Sequence, residues 1–231
     1  MDASSLLNQL LQSGRDLAAK GQDLAQTKLN LPPPGPERDA MLQNMGKGAA
    51  VAGVLALLLG TRPGRQVTGT ALKLGSLAAL GGLAYQTYQN WQREHSATPA
   101  AVGTPVDQLT GPPAEQRSRA LLTAMLAAAK ADGVIDSSEQ GKIDAYLNSL
   151  EVPPDLRRFL EEEAAKPLSV QDIAAGADSP AAAAEIYLTS RLVIDVANER
   201  ERAYLDELAT LLRLPPEVVA ELERQAAPKP A

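Results

Sequence analysis

At 231 residues with a net charge of −6, and with only one Trp, one Phe and five Tyr among abundant Leu and Ala, the chain has room for one or two cores and little material for strands, so the expected fold is all-α. Cysteine is absent and His95 is the single histidine, so disulfides, thiolate nucleophiles, Cys/His zinc sites and histidine-based triads are excluded or nearly so. Residues 1–115 carry 9 basic and 8 acidic side chains and residues 116–231 carry 13 and 20, an acidic balance that repels nucleic acid.

Met1-Asp2-Ala3-Ser4-Ser5 has no basic n-region and the first apolar cluster is broken by Asn8 and Gln9, so no secretory signal is expected at this end. Within residues 1–30, Ser4 to Lys28 read as an amphipathic helix with Leu6, Leu7, Leu10, Leu11, Leu17 and Leu24 on one face. Two partners suit that face, the protein's own body or a sister chain, and a membrane surface. The run Leu31-Pro32-Pro33-Pro34-Gly35-Pro36 ends the helix and opens a linker over 31–45.

Residues 46–95 differ in composition from everything around them. Gly48 to Gly60 contain no charge, with small residues at Gly48, Ala52, Ala56 and Gly60. After the turn at Thr61-Arg62-Pro63-Gly64-Arg65, Val67 to Tyr85 is apolar apart from Lys73, with Ala71, Gly75 and Ala79 again four apart. Small-xxx-small faces allow helices to approach closely, and the pair reads as a glycine-zipper hairpin. A spanning helix needs about 20 apolar residues. The first segment is shorter than that and the second tolerates a lysine, while Tyr85, Tyr88 and Trp91 form an aromatic row of the kind that anchors at a bilayer interface. Contact with membrane lipid through residues 46–91 and a soluble hairpin that makes a homo-oligomer both remain open. His95 reads as a solvated linker residue, and 96–113, rich in Ser, Thr, Pro and Gly, as a flexible connector before a domain over 114–227.

That domain reads as about seven helices in duplicated order. Glu115 to Ala131 form a helix with Leu121, Leu122, Met125 and Leu126 inward. Asp136 and Glu139 form a capping box for a helix over Ser137 to Leu150. Pro153-Pro154, Ser169 and Ser179-Pro180 open the next three, and Glu199 to Leu212 and Pro216 to Gln225 the last two. Sliding the chain by 62 residues sets Glu139 on Glu201, Asp144 on Asp206, Leu150 on Leu212 and Pro153-Pro154 on Pro215-Pro216.

The stretch Asp132-Gly133-Val134-Ile135-Asp136-Ser137-Ser138-Glu139 matches the second half of an EF-hand loop. The first half fails, since Ala128 and Lys130 stand where two oxygen ligands belong. Helix capping accounts for Asp136, Glu139, Asn198 and Glu201, but not for Asp132 or Asp195. Brought together by the repeat, Asp132, Asp136, Glu139, Asp195, Glu199 and Glu201 would form a carboxylate cluster for a hard divalent cation, calcium, magnesium or manganese.

Lys130-Ala131-Asp132-Gly133-x-Ile135-Asp136-x-x-Glu139, with a second joint from Ile194-Asp195 to Glu201-Arg202-Ala203-Tyr204-Leu205, resembles the tellurite-resistance TerB-like helical domain over about Glu115 to Gln225. Gly46 to Trp91, ending GGLAYQTYQNW, resembles the N-terminal part of the YebE-like, or DUF533, bacterial inner-membrane family. The resemblance implies an all-helical, non-enzymatic protein of stress or tellurite response, held at the inner membrane with its acidic module in the cytoplasm, with metal bound at the joints and an unknown protein partner. The second joint departs from the pattern, with Ile194-Asp195 in place of Asp-Gly and Asn198 as the cap.

Overall fold

The computed structural model of the protein describes residues 2–12, 76–96, 101–131, 153–194 and 199–226. Among the described residues the regular structure is all helical, as composition required. Helix α1 covers residues 3–12. It is followed by α2 (Leu77–His95), a 3-10 turn (Val106–Gln108), α3 (Gly111–Ala129), α4 (Pro154–Ala165), α5 (Val170–Ala175), α6 (Pro180–Val193), α7 (Glu199–Leu211) and α8 (Pro216–Ala226). The first hairpin segment (48–60), its turn, the helix expected over 137–150, and Asp132, Asp136, Glu139, Asp195 and Asn198 lie outside the described residues.

Helix starts follow local chemistry. Ser76, Ser169 and Ser179 each accept a backbone N–H three residues on, from Ala79, Asp172 and Ala182, which satisfies one of the orphan donors of a first turn. Asp2 does the same for Ser5 at 2.8 Å, and that bond holds the Asp2 carboxyl below its usual range. Prolines occupy the first turns of α3, α4 and α6, where the missing N–H costs nothing. Arg213 (φ 54°) ends α7 in the left-handed region. Its N–H bonds Thr210 O and that of Leu214 bonds Ala209 O, both at 3.1 Å, a Schellman closure that turns the chain into α8.

Helix α6 is the centre. Of its 14 residues, 11 are buried, including Ile186, Tyr187 and Leu188, so it is enclosed on every side rather than on one stripe. It packs chiefly on α3 and α2, and also on α8 and α7. The duplication continues into three dimensions. At the same 62-residue offset, Leu156 and Leu160 of α4 match Val218 and Leu222 of α8, all four buried, and α4 packs on α3 as α8 packs on α6. Met125 and Leu126 likewise match the buried Tyr187 and Leu188.

The core is wider than the duplicated unit. Leu6, Leu7, Leu10, Leu80 and Ala84 belong to the same buried cluster as Leu121 and Ile186, so α1 and α2 join the body instead of forming separate units. Residues 101–110, expected as a flexible connector, are a fixed strap: Val102 and Val106 are buried, and Val102 O accepts the Ala181 N–H at 2.8 Å. Proline and glycine withhold helix from this stretch without withholding contacts, because its backbone groups find partners on α6. Two of the three rings of the aromatic row, Tyr88 and Trp91, are partly buried and packed against the core. They lie 5.6 Å apart, and His95 stacks on Trp91 at 5.3 Å. Ser76 is extended (φ −156°, ψ 157°), so an unbroken helix from Val67 to Tyr85 does not form.

Two buried phenols make this core sensitive to alkali. Burial pushes Tyr204 up to about 12, and burial together with its bond to Glu223 (2.8 Å) raises Tyr187 well above its ordinary value. A raised folded pKa means that stability is intact below the unfolded value, about 10, and is lost as pH climbs towards the folded one. In an alkaline titration followed by phenolate absorbance and circular dichroism, the last two phenolates are expected to appear together with loss of helix. Ionisation of every tyrosine near its ordinary value with the helices intact would contradict this packing.

Candidate functional site

The described part of the expected metal set is Glu199 and Glu201, both in the first turn of α7, where acidic groups complement the helix dipole. Two positions apart on a helix, they point to different sides. Glu199 is exposed and Glu201 is buried at 1% exposure. Among the described residues no group of three or more acidic or histidine side chains could hold a metal, and Asp132, Asp136, Glu139 and Asp195 lie outside them. Lys130, which spoiled the calcium-loop pattern, has a structural task here. Its ammonium donates to the carbonyls of Ala164 (2.8 Å) and Lys166, capping the negative end of α4. Burial holds its pKa down, against the pull of Glu163.

The densest polar constellation lies elsewhere, where the strap crosses between α3 and α6. Glu185 is fully buried and Arg117 is 4% exposed. Arg117 Nη1 donates to Glu185 Oε2 at 2.6 Å, its Nη2 reaches Asp178 and, at 3.4 Å, Ser179 Oγ, and the strap's Val106 N–H donates to Glu185 Oε1 at 2.7 Å. Burial pushes the Glu185 carboxyl up from its ordinary value, with the Val106 and Arg117 bonds pulling the other way. Desolvation thus outweighs attraction, as in many buried pairs. Glu185 and Arg117 are buried within the node and orient the strap, while Asp178 carries its outer edge to solvent. Nothing in the chain's motifs singled out either residue; the available signal was a lone Glu inside AAAAEIYL, since a charge within an enclosed helix requires a partner.

A third arrangement concerns the N-terminus. Helix α1 buries Ala3, Leu6, Leu7, Leu10 and Leu11. It is keyed to α3 by Ala3 N–H to Glu115 Oε2 (2.9 Å) and by Ser4 Oγ with Ser118 Oγ (2.8 Å). Glu115 is held in turn by Arg119 Nε at 2.9 Å, whose guanidinium lies 4.9 Å over the Phe159 ring. The Leu77 N–H, at the start of α2, donates to Asn8 Oδ1 of α1 at 3.3 Å. Residues 13–75 therefore leave and re-enter the body at neighbouring points. Among the described residues no helix is long and apolar enough to cross a membrane.

A family model for proteins of unknown function, DUF533, matches residues 44–226. A protein of Yersinia enterocolitica named "Uncharacterized protein in ampR 5'region" is 30% identical over 117 residues, 51% of this chain and 84% of that protein. No solved structure matches the chain.

Proposed function

The chain belongs to the DUF533 family, and from that membership we propose a non-enzymatic, membrane-associated protein in which an acidic, TerB-like helical body presents a glycine-rich apolar segment to lipid. The observation that supports it is that α1 and the start of α2, the described residues on either side of 13–75, meet, Asn8 Oδ1 accepting the Leu77 N–H at 3.3 Å. The sequence between these two residues contains the uncharged run Gly48 to Gly60. The body's Arg117 and Glu185 are spent on each other and on the strap, which favours a scaffold over a catalyst. On this reading the body faces the bacterial cytoplasm at the inner membrane, and its TerB-like character assigns it to a stress response. A divalent cation is not part of the proposal, because Asp132, Asp136, Glu139 and Asp195 lie outside the described residues and Glu199 and Glu201 do not make a site by themselves.

Fractionation tests it. The full-length chain is expected in the carbonate-resistant membrane pellet, and a chain in which a short Gly-Ser linker replaces residues 13–75 in the soluble fraction, folded. Full-length protein recovered as a soluble oligomer would sink the membrane role and give the apolar segment to self-association instead.

A further inference from the structure

We draw no further inference here: the strongest candidate, the uncharged outer face of α2 along Ala78, Gly82, Tyr85 and Gln86, with open space above Gly82, carries nothing because it is an unpartnered helix face and nothing in the structure shows what covers it.

Discussion

Glu185→Ala is expected to destabilise the fold by about 3 kcal/mol and Arg117→Met by up to about 5 kcal/mol, because each leaves a buried charge without its main partner. The two losses differ for a structural reason. Without Glu185, Arg117 keeps Asp178, which is 65% exposed, and Ser179. Without Arg117, Glu185 keeps the Val106 N–H and has one escape, which is to take a proton. Its carboxyl already sits above the ordinary range through burial, and loss of the guanidinium raises it further. A carboxyl raised in the folded state favours folding in its protonated form, so the Arg117→Met protein is expected to be less impaired in mild acid and to lose stability as pH rises through that raised value. Urea denaturation across pH measures it; a pH-independent loss would mean that Glu185 is not the group left stranded. Because desolvation already outweighs attraction at this pair, Arg117→Met combined with Glu185→Leu should recover most of the loss.

Gly103→Ala is expected to cost about 2–4 kcal/mol, combining a left-handed backbone penalty with overpacking. Gly103 has φ 93°, and a Cβ there would lie 2.4 Å from Ser179 Cβ, in the segment whose Val102 carbonyl and Val106 N–H bind α6. The side chain struck is the N-cap of α6, so relief by moving Ser179 would uncap the central helix. At Gly82 a Cβ meets nothing within 4 Å, and Gly82→Ala serves as the control, neutral or slightly stabilising within an α-helix. Thermal unfolding of the two variants decides it, and similar melting temperatures would mean that the strap is not held against α6 as described.

Much of the body could be read in advance. Serine caps at Ser169 and Ser179, prolines opening α4, α6 and α8, and the 62-residue echo are signals carried by residues close in sequence, and each has its counterpart in the helices. The acidic joints were equally conspicuous, but capping and metal ligation use the same residues, and Glu201 shows how far a spacing pattern stops short. Its place in the first turn of α7 was legible, whereas its burial depends on which side of α7 meets the core.

The aromatic row was ambiguous for a related reason. Tyr88 and Trp91 beside a polar boundary fit a bilayer interface and a protein core equally well, since both reward a large apolar ring, and only the tertiary structure shows them packed against the core. Composition and periodicity by themselves determined an all-helical fold class and an acidic, duplicated chain without cysteine, because those properties follow from residue type and near neighbours. Only the tertiary structure decided that α1, α2 and the strap share the body's core, that Arg117 and Glu185 find each other 68 residues apart, and that Asn8 of α1 meets the start of α2. Those contacts lie between elements remote in sequence, where no local pattern carries the information and burial on a shared face selects the partner.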